Sequence, residues 1–237
     1  MDEDKIWNKN ETRERMYPDY IKEARAAYAA TGNPALGQLL GKKQGEYTVE
    51  DYYALPEDCR VELIDGVIYN MAAPSTLHQV IAGEIYYWLK DYIRKNHGRC
   101  LTVLSPADVQ LDEDNRTMVQ PDVFVYCIRK EMVEEEEDIS RAFQGAPDLV
   151  IEVLSPSSRK RDRVIKYYKY KNAGVREYWI VDPVEKCVTV HLFEAGEETT
   201  VYTYEDEIPV HIYDGKCRIP LNEIEESEEL LRELRRW

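Results

Sequence analysis

Apolar residues recur along this chain in two periods, and the alternation between them predicts its elements. From Thr76 to Lys95, the residues Leu77, Ile81, Ile85, Trp88, Leu89 and Tyr92 fall at helical spacing, and Asn96-His97-Gly98 supplies a stop. A shorter helix is predicted from Thr48, which can cap. Glu50 and Asp51 suit its positive end, and Leu55-Pro56 closes it. Residues 60–70 read as a hairpin turning at Asp65-Gly66, with Glu62 and Ile64 on one face and Val61 and Leu63 on the other. Strand-like runs follow at 100–104, 107–111, 119–126, 147–156 and 175–183. A basic helix over 159–172, ended by Gly174, sits before the last of these. Residues 188–194, 199–204 and 211–219 continue as a meander, and 221–237 reads as an acidic amphipathic helix with a basic end.

Helix, three strands, helix and strand, with a hairpin in front and a meander behind, predict an α/β fold. Its sheet is mixed and carries helices on both faces. Residues 1–45, polar and rich in helix formers, form an N-terminal helical extension; 46–195 form the core domain; 196–237 supply C-terminal strands and a helical tail packed on it.

Composition narrows the class. The 237 residues, 43% hydrophobic with 18 Tyr, suffice for a packed core. No apolar run approaches the ~18 residues of a membrane span, and the charged N-terminus is unlike a signal, so a cytoplasmic protein is expected. Five scattered cysteines, Cys59, Cys100, Cys127, Cys187 and Cys217, are read as reduced thiols. The net charge of −15 argues against a general nucleic-acid coat protein, yet residues 159–171 hold seven Lys or Arg and one Asp, a local +6. The acid-rich stretches at 131–138 and 223–229 are read as solvated faces.

The candidate chemistry lies in the strands. Glu152 sits inside an apolar, proline-bounded run, where a carboxylate is costly unless a cation or donor meets it. Asp122 follows Pro121 in a second run. Two such acids before a basic strip suggest a metal site facing a phosphate; the alternative is two unrelated acids at strand ends. Position 154, which shares the strand face of Glu152, is Leu rather than Lys, and the helix offers Lys166 instead. The plain alternative for Lys166 is a surface i,i+4 pair with Asp162. Ser155 either caps a turn or touches a phosphate.

Several stretches together resemble one family. They are Tyr47-Thr48-Val49-Glu50-Asp51-Tyr52, Glu62-Leu63-Ile64-Asp65-Gly66, Met71-Ala72-Ala73-Pro74-Ser75 with His78, and Gln120-Pro121-Asp122-Val123. The runs at 148–157 and 174–183, and Asp162 with Lys166 and Tyr170, continue the likeness. The chain from about 46 to 195 resembles the Uma2 family of endonucleases, a branch of the PD-(D/E)XK, restriction-endonuclease-like superfamily. The resemblance implies a restriction-endonuclease-like core and maps Asp122 and Glu152 to the two motif acids. Leu154 departs from the motif lysine, whose place Lys166 would take. An acid from the first core helix often joins such a site; Glu84 lies there, but Glu62 and His78 stand in the family's own motifs. Glu62 is therefore the preferred third ligand, and His78 is a ligand, a substrate contact or a structural helix-end residue.

The reading that follows is a Mg²⁺- or Mn²⁺-dependent endonuclease acting on DNA as a homodimer. Asp122, Glu152 and Glu62 hold the metal, Lys166 orients water, and Arg159, Lys160, Arg161, Arg163 and Ser155 contact phosphates. Two rivals remain: a catalytically inactive binding or assembly module, which the −15 charge favours, and a metal-dependent hydrolase of a small phosphate ester.

Overall fold

A computed structural model describes residues 42–56, 59–111, 115–128, 142–194 and 196–236. Most of the expected N-terminal extension and the acidic stretch at 131–138 lie outside these residues.

The chain enters through helix α1 (Val49–Tyr53), where Thr48 and Asp51 form a capping box and the Thr48 N–H donates to Asp51 Oδ2 at 2.8 Å. Strands β1 (Val61–Ile64) and β2 (Val67–Asn70) form the hairpin. Asp65 and Gly66 turn it with φ of 52° and 77°, the left-handed pair that a two-residue hairpin demands. Helix α2 (Thr76–Lys95) starts on Ser75, whose Oγ accepts from the His78 N–H at 3.2 Å. It buries Ile81, Ile85 and Leu89 against the sheet.

Strands β3 (Cys100–Leu104), β4 (Val109–Gln110), β5 (Met118–Val119) and β6 (Val123–Cys127) follow. The run read as one strand over 119–126 is thus two, broken at Pro121, which has no N–H for a ladder. The break passes the chain between sheets. A five-stranded sheet runs β2-β1-β5-β4-β7, with β7 Phe143–Gln144, and a six-stranded sheet runs β11-β10-β9-β8-β6-β3. The centre of the larger sheet is β8 (Leu149–Val153) parallel to β9 (Glu177–Asp182), every residue of both buried. β10 (Cys187–Leu192) and β11 (Glu198–Thr203) extend it antiparallel.

Residues 211–219, read as a third meander strand, are instead split. β12 (Glu207–Val210) and β13 (Cys217–Pro220) pair as a separate hairpin around a 3-10 turn, His211–Tyr213. Helix α4 (Leu221–Leu234) closes the chain, and its Leu221 and Ile224 share one core with Ile81, Ile85 and Trp179. Among the described residues no helix is long and apolar enough to cross a membrane.

Between β8 and β9 the chain forms the basic helix, but not a regular one. Arg161–Lys166 is a π-helical turn continuing into α3 (Tyr167–Ala173), which ends on Gly174 at φ 96°.

The expectation of five reduced cysteines is corrected. Cys100 and Cys127 are register partners on β3 and β6 and form a disulfide, with S–S 2.09 Å. Their separation of 27 residues hides a pairing that only the strand register creates. Cys59, Cys187 and Cys217 are free.

Candidate active site

The two faces of β8 go to different places. Leu149, Ile151 and Val153 join the core under α2, whereas Val150 and Leu154 join a second core with Ile165, Tyr170 and Tyr178. Glu152 shares the latter face by the period of two, so it points toward the π turn and α3. Its Oε1 accepts from Lys166 Nζ at 2.8 Å and from the Tyr170 hydroxyl at 2.6 Å.

Lys166 meets a second acid from the hairpin, Glu62 Oε1, at 2.7 Å. Glu62 is fully enclosed. Its Oε1 also accepts the Gln120 N–H at 3.1 Å, and Arg161 Nε stands 3.4 Å from its Oε2. Arg161 in turn lies over the Tyr69 ring, 5.7 Å from its centroid. Asp162, buried, is 3.7 Å from Lys166, an ion-pair distance too long for a hydrogen bond.

The π turn makes this convergence possible. In a regular helix, residues five apart point roughly 140° away from each other. The widened turn lets Arg161, Asp162 and Lys166 all face Glu62 and Glu152. The surface-pair alternative for Lys166 is therefore corrected: both Asp162 and Lys166 are buried, and the short contacts of Lys166 go elsewhere.

Asp122 stands beside Glu152 because Val123 on β6 is registered with Ile151 on β8. Its Oδ2 accepts the Val153 N–H at 2.7 Å and meets His78 Nε2 at 3.1 Å. Its backbone carbonyl accepts from the Ser105 N–H. Asp122, His78, Glu152, Asp162, Arg161 and Lys166 all line one cavity of about 640 Å³, as do the loops at 71–75, 105–106, 153–158 and 183–184. Glu62 is not among the lining residues; it lies behind Lys166.

Three buried carboxylates, Glu62, Glu152 and Asp162, thus face two cations, Arg161 and Lys166. Burial works against the Lys166 ammonium, but the surrounding acids prevail and raise its pKa, so it keeps its proton. Burial also opposes the charge of Glu62, yet Lys166 and Arg161 overcome it and hold the carboxyl below its ordinary range. Glu152 is pushed well above that range, first by burial and then by the neighbouring acids against the pull of Lys166. Burial raises Asp162 as well. For His78, burial pulls downward, and the hydrogen bond and charge of Asp122 outweigh it in the upward direction. Glu62 Oε2, Arg161 Nε and Asp162 Oδ1 are buried without a hydrogen bond.

Among the described residues no group of three or more His, Cys, Asp or Glu stands ready as an all-protein metal cage. The donor set suits a hard cation held more sparingly. Asp122 has its two recorded contacts on Oδ2, Glu152 has its own on Oε1, and both residues open on the cavity. Mg²⁺ characteristically takes one or two carboxylates and keeps several waters, which two such acids fit.

The other residues singled out in the sequence divide. Ser155 lines the cavity, and its hydroxyl bonds Ser157 and Ser158, closing the turn after β8. Arg159 and Arg163 are turned to Asp182, at 2.7 and 2.8 Å, and do not line the cavity, nor does Lys160. Of the four basic residues expected on phosphates, Arg161 alone lines the cavity, and it is committed to the acids. Glu84 bonds Ser227 on α4, away from the site. Tyr170, part of the family likeness, has a hydroxyl whose bond to Glu152 carries no signal in the sequence, and neither does the place of Arg60, exposed on the cavity lining.

The family model described as "Uma2: Putative restriction endonuclease" matches residues 49–214, which carries the likeness past residue 195 into the 3-10 turn. A crystal structure of a "putative nuclease belonging to DUF820" from Anabaena variabilis shares the fold, with a TM-score of 0.63 and 22% identity. The alignment covers 76% of this chain and 98% of that one. No curated protein matches.

Proposed function

The chain belongs to the Uma2 family, and on that premise we propose that the buried carboxylate–ammonium cluster is the centre of a metal-dependent endonuclease hydrolysing phosphodiester bonds in DNA. The observation that carries this reading is the convergence of Asp122, Glu152 and Lys166 on one cavity. Asp122 and Glu152 would hold the Mg²⁺ or Mn²⁺. When bound, such an ion supplies Lewis-acid stabilisation of charge on a phosphate oxygen.

The chain's own groups do the rest. Lys166 keeps its proton, so it serves as a donor and a fixed positive charge rather than as a base. Two of its three N–H groups go to Glu62 and Glu152, and Asp162 is too distant to take the third. That third N–H is the one available to an attacking water or a phosphate oxygen. Glu62 acts through Lys166: with Gln120 and Arg161 it fixes where the ammonium sits. Tyr170 holds Oε1 of Glu152, so that Oε2 is the oxygen left for an ion or water. His78 fixes Asp122 from the first turn of α2.

The test is plasmid cleavage titrated with Mg²⁺ and Mn²⁺, for the wild type and for Asp122→Asn. The variant lowers the ligand charge and should require more metal and cut at least ~10²-fold more slowly. Equal rates would remove the assignment. The cavity's volume also admits the small-ester reading, which would be favoured by turnover of bis(p-nitrophenyl) phosphate with no cleavage of nucleic acid.

A further inference from the structure

We infer that Arg60 is a substrate-binding residue that holds the phosphate next to the scissile one, a role that rests on the nuclease reading above. The cations on the cavity lining are Arg60, Arg161 and Lys166. Lys166 is held by Glu62 and Glu152, and Arg161 stands against Glu62 and over the Tyr69 ring. Arg159 and Arg163, off the lining, are turned to Asp182. Arg60 differs from all four. It is exposed, and among the described residues its side chain has no ion pair or hydrogen bond.

The hairpin fixes where that charge sits. The Arg60 carbonyl accepts from the Met71 N–H at 2.9 Å, which carries the β1–β2 ladder one residue past the Val61–Asn70 pair. Residues two apart on a strand share a face, so Arg60 projects to the side from which Glu62 reaches Lys166 at 2.7 Å. The step between them is about 7 Å along the strand. Glu62 is fully enclosed behind Lys166 and Arg60 is exposed, so the step leads outward from the ammonium to the mouth of the cavity.

The rest of the exposed lining carries no charge: it consists of Ser75, Gln79 and Ser157 among alanine, proline and valine side chains. A nucleic acid whose reacting phosphate lies beside Asp122, Glu152 and Lys166 brings further phosphates on either side, each with a full negative charge. Arg60 is the exposed lining residue that answers such a charge. Its guanidinium donates two parallel N–H groups to two oxygens of one phosphate, a fit that a lysine does not offer. Standing a pleat away from the ammonium, it contributes to holding the substrate and leaves bond breaking to the groups below.

Fluorescence anisotropy of the full chain with a labelled DNA duplex, in Ca²⁺ across a salt series, reads the contact directly. Arg60→Gln should weaken binding about tenfold and make the dependence of log affinity on log salt shallower by about 0.9, the share of one phosphate. Arg60→Lys keeps the charge and loses the fork, so it should restore the slope but only part of the affinity. Arg99→Gln, at an exposed arginine that does not line the cavity, should change neither by more than about twofold. Circular dichroism checks that each variant is folded. A wild type that does not bind DNA, an Arg60→Gln variant with wild-type affinity and slope, or an equal loss in Arg99→Gln overturns the inference. Plasmid cleavage in Mg²⁺ tells the two readings apart. Binding that depends on Arg60 with no cleavage by the wild type sinks the nuclease reading and keeps the phosphate contact. Cleavage whose KM is unmoved by Arg60→Gln does the reverse.

Discussion

Two buried charge clusters draw their cations from the same short stretch of chain, and they are built differently. At the end of β9, Asp182 accepts two hydrogen bonds from Arg159, one from Arg163 and two from the N–H groups of Val184 and Glu185. Neither oxygen is left without a donor, and the arginines keep 39% and 40% of their side chains in solvent, which limits the cost of desolvation. The second cluster, Glu62, Glu152 and Asp162 around Lys166 and Arg161, has more acids than bases and three polar atoms without a hydrogen bond. A buried ion group that only holds the fold is normally satisfied. The unsatisfied capacity of the second cluster, beside a cavity, marks it as the one built to receive something.

The clusters also respond to pH with opposite signs. Burial opposes the Asp182 charge, but the arginines and backbone N–H groups hold its carboxyl below 3.8. Its stabilisation is therefore present above that value and lost as pH falls through the lowered one. Glu152 and Asp162 are raised, so each favours the folded state most below its ordinary pKa and costs stability as pH rises toward the raised value.

The largest effect is expected from Lys166→Met. It removes the ammonium from between Glu62 and Glu152, and cleavage should fall about 10³-fold. Stability at pH 8 should fall by about 3–5 kcal/mol, because unpaired buried acids remain. At pH 5 the loss should shrink as those acids take up protons. A surface pair with Asp162 would instead predict under ~1 kcal/mol and unchanged activity. Denaturant melts at the two pH values, beside a cleavage assay, separate the outcomes.

Asp182→Asn is the matching break in the satisfied cluster. It should cost about 2–3 kcal/mol at neutral pH, the range for hydrogen bonds to a charged group, with the difference fading toward pH 3. The cleavage rate should stay within about twofold, since this cluster holds Arg159 and Arg163 and lines no part of the cavity with its carboxylate. A collapse of activity with the fold intact would show that the two clusters do not divide structure from chemistry as argued.

What was legible in the sequence followed locality. Helix α2, the hairpin at Asp65-Gly66 and the Gly174 stop depend on neighbours a few residues away, and their patterns place them within a residue or two. Asp122, Glu152, Lys166 and His78 were legible as candidates, and the fold brings all four to one cavity. The π turn was not, because a 3.6-residue period cannot register an inserted residue inside a basic run. Arg159 and Arg163, expected on phosphates, are held by a partner the sequence does not indicate, Asp182, about twenty residues downstream at the end of another strand. Tyr170 lies in the core, and its hydroxyl finds Glu152 only once α3 is laid on β8.

The smallest and most discriminating change is Asp162→Asn. Read as a surface i,i+4 partner of Lys166, Asp162 would contribute a few tenths of a kcal/mol, and its loss would destabilise. Buried as it is, Asp162 is the acid in excess. It stands 3.7 Å from Lys166 behind two closer carboxylates, its Oδ1 lacks a hydrogen bond, and burial raises its pKa. An amide of the same shape removes the desolvated charge and the repulsion of Glu62 and Glu152. The variant should therefore be more stable than the wild type, by about 1 kcal/mol at pH 8. Because the pKa is raised, Asp162 in the wild type is already protonated at low pH, so the gain should vanish near pH 4 and grow as pH rises. Melting curves across that span decide it. A variant less stable at pH 8, or a gain independent of pH, would return Asp162 to the role of an ordinary partner.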